Sequence, residues 1–135
     1  MRTIVATALA CLAILTNGCT TTPPTPQHYS TLEDYLIAHD RDLTGFYRHA
    51  DPDKLMQCYA QVATNSIPPE TRPDVLAVAN KSTAGQPLSP AEQTLKSQWL
   101  DARPRPEGDV LNVETPRALN IVREMATTCW GINLS

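Results

Sequence analysis

The chain has 135 residues, with 11 lysines and arginines against 14 aspartates and glutamates, a net charge of −3 at neutral pH. That length suits one modest domain with a single core. The few basic residues are scattered, so the electrostatic footprint of a nucleic-acid partner is missing.

The chain opens with Arg2 and an uncharged, largely apolar run, Ile4 to Leu15. A positive start and a run of this length have the pattern of a secretory signal. The run is shorter than the roughly 20 apolar residues that span a bilayer. It ends in Leu15-Thr16-Asn17-Gly18-Cys19, after which threonine and proline dominate.

Gly18-Cys19 behind an apolar run resembles the signal segment of bacterial lipoproteins, with Thr16 at the position usually held by leucine. The resemblance covers the signal alone. It implies cleavage before Cys19, diacylglycerol on the Cys19 thiol and an acyl chain on the new amine. Two or more chains anchor stably where one is marginal. Thr20 after the cysteine implies an outer-membrane destination in a Gram-negative cell. The alternative is an ordinary signal peptide cut elsewhere, with Cys19 as a free thiol. The expected organisation is a signal over 1–18, a lipidated spacer over 19–30 and a helical domain over 31–135. Pro23, Pro24 and Pro26 favour extended polyproline II, so the spacer lifts the domain about 30 Å at about 3.1 Å per residue.

Prolines then punctuate the domain. Asp51-Pro52, Ser89-Pro90 and Thr115-Pro116 each set a capping side chain before a proline at the first helical position, where its missing N–H costs nothing. Arg72-Pro73 is a weaker fourth case. Ser89 with Glu92, and Ser30 with Glu33, have capping-box spacing. A first helix is predicted over 31–49, with Leu32, Tyr35, Leu36, His39, Leu43, Phe46 and Tyr47 on one face. A second, 52–64, carries Leu55, Cys58, Tyr59 and Val62. A third, 73–82, ends before Gly85. A fourth, 90–102, carries Leu95, Trp99 and Leu100 and is stopped by Pro104 and Pro106. Residues 110–113 have an extended pattern with no evident strand partner. The last helix, 116–130, presents Leu119, Val122, Ala126 and Cys129, with Ile121 and Met125 beside them. The expected fold class is therefore all-α, a small bundle of about five short helices.

Four cysteines are present. Cys11 leaves with the signal and Cys19 is the anchor, so Cys58 and Cys129 remain as an even pair in an exported chain. A disulfide is the default there. Each lies on an apolar helix face, as an interhelical bond requires. Its loop of about 70 residues corresponds to roughly 4 kcal/mol in the chain-entropy model. No Cys-x-x-Cys pair suggests zinc, haem or redox chemistry.

Catalytic signatures are absent. No Gly-x-Ser-x-Gly elbow occurs, and the glycines are isolated, so no phosphate-cradling loop forms. His39, Asp42, His49, Asp51 and Asp53 offer metal-ligand types, but Asp51 reads as a cap and His39 falls in the apolar stripe. Glu33, Asp34, Asp40 and Asp42 read as solvated helix faces. No metal, cofactor or catalytic residue is expected. The aromatic rings are expected in the core, except Trp130, which with Arg103 and Arg105 forms the candidate surface for a partner. These readings point to a membrane-tethered, non-enzymatic envelope module that binds a protein partner. The alternatives are a periplasmic small-ligand-binding or stress-related chaperone-like protein, and an enzyme of the cell wall.

Overall fold

Helix starts in this chain follow its capping side chains. In the computed structural model, which describes residues 27–46 and 51–129, helix α1 spans Leu32–His39 and is followed by a 3₁₀ helix, Arg41–Phe46. Helix α2 is Pro52–Asn65, α3 is Arg72–Thr83 and α4 is Pro90–Leu95, which continues into a π turn, Lys96–Leu100. Strands β1 (Arg105–Glu107) and β2 (Val110–Asn112) precede α5, Pro116–Thr128. Among the described residues no helix is long and apolar enough to cross a membrane.

The three proline-led caps form as expected. Asp51 accepts from the Asp53 and Lys54 N–H groups, and Thr115 accepts from Ala118 N at 3.0 Å. Ser89 and Glu92 make the full reciprocal box. The first cap lies one residue later than expected, because Thr31 rather than Ser30 accepts from Asp34 N. Helix α3 ends in a Schellman motif, with Gly85 N donating to Ser82 O and Gln86 N to Lys81 O around Gly85 at φ +69°.

The mostly helical fold is as expected, with two differences. The predicted helix over 31–49 stops at Asp40, which caps α1 and turns its carboxylate inward. Residues 47–49 of that prediction lie outside the described part. The second difference is a hairpin. Residues 110–112 do have a strand partner: β1 pairs antiparallel with β2, Glu107 opposite Val110. Gly108 (φ +63°) and Asp109 form its two-residue loop. Positive φ at the first loop position alone is the type II′ pattern, which matches the natural strand twist.

The core is a layer in which α2 lies between α1 and α5, with α3 against α1 and the π turn. Tyr59, Ala60, Val75 and Ala79 are completely buried, joined by Leu36, Met56, Leu100, Ile121 and Met125. Helix α5 buries Ile121, Met125 and Ala126 as expected, together with Ala118, whereas Leu119, expected on the apolar face, is 37% exposed. Two long-range ties attach the helix to α2. Cys129 is bonded to Cys58, with 5.8 Å between Cα atoms, and Arg117 reaches across to Ala63 and Ser66.

Before α1, Tyr29 is held by α3. Its N–H donates to Asn80 Oδ1 at 2.7 Å, and Asn80 Nδ2 donates back to the Tyr29 carbonyl at 3.0 Å. The C-terminal edge of the expected spacer is thus docked on the domain.

Candidate functional site

Two arginines, Arg103 and Arg117, are drawn into the fold near Tyr59, and their partners differ. Arg103, expected on a partner-binding surface, is turned inward: its side chain is 11% exposed and that of Asp40 only 3%. Arg103 Nε donates to both Asp40 oxygens, at 3.0 and 2.9 Å, while Tyr59 donates its phenolic proton to the same carboxylate. The expectation of Asp40 on a solvated face is corrected in the same way, since its partner comes from 63 residues along the chain. Burial works most strongly on the Arg103 charge and against it, but the Asp40 carboxylate together with Tyr59 and Tyr35 holds the guanidinium above its ordinary pKa. Burial, reinforced by Asp40, pushes the Tyr59 phenol well up. The two opposite charges of this network are paired within the molecule.

Among the described residues Arg117 has no such counter-ion. It stands in the first turn of α5, a turn without any acidic residue. Three of its five N–H groups are used, with Nη1 donating to Ala102 O (3.3 Å) and Nη2 to Ala63 O (3.1 Å) and Ser66 Oγ (2.8 Å). Its Nε is buried without a hydrogen-bond partner. Among the described residues no carboxylate lies within ion-pair distance of it. Burial pulls the guanidinium down to about 10, with Arg103 adding to the effect.

The guanidinium lies 5.5 Å from the centre of the Trp99 ring, within cation–π range. Both residues line a groove of about 330 Å³, completed by Ser66, Gln98, Asn120, Ile121 and Glu124. The π turn supplies Gln98 and Trp99. Its extra residue is closed by Asp101 N donating to Lys96 O at 2.8 Å and spanned by a Lys96–Asp101 ion pair at 3.0 Å. Such insertions within helices often mark functional sites. Chemically the groove offers a fixed cation, an aromatic face, two side-chain amides and one carboxylate at its far end.

Two other depressions carry less chemistry. One, about 760 Å³, is open and lies between the 3₁₀ helix and the hairpin, with Asp42 and Asp109 on its walls. The other, about 340 Å³, is mainly apolar and lies between α1 and the start of α3. Among the described residues no three His, Cys, Asp or Glu side chains converge as a metal site. His39 is exposed, stacked on Tyr35 with ring centres 4.2 Å apart.

Of the residues singled out from sequence, Cys58 and Cys129 are joined as expected. Arg105 is exposed on β1, well separated in role from the buried Arg103. Cys19 and Trp130 lie outside the described residues. Trp99, expected in the core, is half-buried and forms a groove wall. Arg117 was not among the expected site residues, yet a signal for it exists. A cation in the first turn of a helix opposes the macrodipole, so its placement there needs a reason. Comparison with protein-family models, with curated proteins and with solved structures gives no match.

Proposed function

We propose that this protein is a lipid-tethered binding module of the bacterial cell envelope, anchored through Cys19 and, in a Gram-negative cell, held at the outer membrane facing the periplasm. The observation that carries the reading is the Cys58–Cys129 bond. Disulfides persist in oxidising compartments, and this one follows a signal-like segment ending in Gly18-Cys19. The work of such a module is to hold a partner. Sharing one membrane raises the effective concentration of the two, so that even a weak contact is occupied. The Arg117–Trp99 groove supports this reading, because its groups are suited to holding a ligand by charge, stacking and hydrogen bonds. Its modest volume also favours the second reading, a periplasmic protein that binds a small molecule.

Intact mass spectrometry of the protein from its native membrane fraction, with and without reduction, tests the tether. The expected mass begins at Cys19, carries acyl chains and increases by the hydrogens of one reduced disulfide. Cys19→Ser is expected to move the protein to the soluble fraction. A mass without lipid, or a variant that stays with the membrane, would overturn the anchor.

A further inference from the structure

We infer that the groove beside Arg117 binds a ligand carboxylate, with the Trp99 ring as the apolar wall along which the rest of the ligand lies. The inference rests on the reading of the chain as a binding module and names the chemistry of what is bound.

The two arginines provide the argument. Both are taken largely out of water, where an uncompensated charge is costly. Arg103 meets that cost with Asp40, inside the fold. Arg117 has no carboxylate within ion-pair distance among the described residues, and its Nε–H is unpaired. A ligand carboxylate in the groove would supply the missing charge beside the guanidinium, whose Nε–H is itself buried out of reach. Carboxylates match the planar fork of a guanidinium, and these charge-assisted bonds are stronger than neutral ones.

Arg117 is also preorganised. Its bonds to Ala63, Ser66 and Ala102 fix the guanidinium before any ligand arrives, so little side-chain entropy remains to be lost. Gln98 and Asn120 offer amides of the kind that pair with a peptide group. Glu124 limits the choice of ligand. It lies seven residues beyond Arg117 on α5, about 10 Å along the axis, and repels a second negative charge. One carboxylate on an amide-bearing or apolar body is therefore the preferred chemistry. Its source is either a peptide carboxyl end or a free small acid.

The test uses the full ¹⁵N-labelled chain in detergent micelles with its disulfide intact. Acetyl-Ala-Ala-Ala with a free carboxyl group, the same peptide amidated, and acetate are titrated in turn. The Arg117 Nε–H and Trp99 indole resonances are expected to shift with the acid peptide. The amidated peptide is expected to bind at least about tenfold more weakly, the loss of one charge-assisted contact.

Arg117 also ties α5 to α2, so its replacement risks unfolding. Asn120→Asp is the better variant, since Asn120 is exposed and one turn from Arg117, where a carboxylate becomes an internal counter-ion. It is expected to weaken peptide binding about tenfold while the melting temperature stays within a few degrees.

Equal affinity for acetate and peptide would support the carboxylate site and identify a free small acid as the source; preference for the peptide would identify a carboxyl end. No shift with either acid, equal binding of the amide, or full binding by Asn120→Asp would overturn the inference. A lipidated chain that fails to bind would overturn it while leaving the tether intact. A chain that binds but lacks lipid would do the reverse.

Discussion

The contrast between Arg103 and Arg117 begins with single side chains. A buried ion pair contributes little against a well-packed apolar pair of the same size, because both ions lose their water. Removing only one member is different, since the other is left charged and buried. Asp40 here serves two donors, Arg103 and Tyr59, so its loss strands both. Asp40→Ala is therefore expected to lower unfolding free energy by about 3–5 kcal/mol, measured by urea denaturation. Asp40→Ala combined with Arg103→Met should recover part of that loss, because no buried charge remains. A single variant within about 1 kcal/mol of the native chain would show that water reaches the Arg103 guanidinium.

The caps belong to the scale of elements, where the chain is most readable. A hydroxyl or carboxylate before proline is a local signal, and it locates α2, α4 and α5 at their first residues. Thr115 has a second bond: its hydroxyl donates to Ala102 O at 3.2 Å while accepting from Ala118 N. It thus ties the segment just after the π turn to the start of α5. Thr115→Ala is expected to cost about 2 kcal/mol, at the upper end for a cap, and Ser89→Ala about 1 kcal/mol. Thermal melts of the two variants would compare them, and equal losses would mean that the Ala102 bond contributes nothing. The break after α1 was not readable in this way, because Asp40 is turned inward by a partner 63 residues away. The hairpin did leave a sign, Gly108-Asp109 between two short runs, but Pro106 and strands of three residues masked it. The exposure of Leu119 on α5 was hidden for a different reason. Leu119 has the same helical spacing to Val122 and Ala126 that Ala118 has to Ile121 and Met125, so periodicity alone does not separate Leu119 from the buried residues. Arg117 itself was legible as an odd cation in a first turn, whereas its lack of a counter-ion is a property of the assembled fold.

The disulfide acts on the molecule as a whole. It joins the middle of α2 to the end of α5 across 71 residues, a loop that contains α3, α4 and the hairpin. Open in the unfolded chain, such a loop explores many conformations; closed, it is restricted, which in the chain-entropy model stabilises the fold by about 4 kcal/mol. The apolar contact that the same helices make through Met56, Ile121 and Met125 is a separate contribution and survives reduction. Cys58→Ser is thus expected to remain helical but to unfold with a loss of about 2–4 kcal/mol under oxidising conditions. For a domain near 100 residues that is a fall in melting temperature of about 10–25 °C. Reductant should produce the same fall in the native chain and none in the variant. The groove makes the consequence wider than stability, because the bond fastens the end of α5, the helix that carries Arg117 and Asn120 into the groove wall. A reduced native chain that melts like the oxidised one would shift the clamping of α5 to its apolar face and to Arg117.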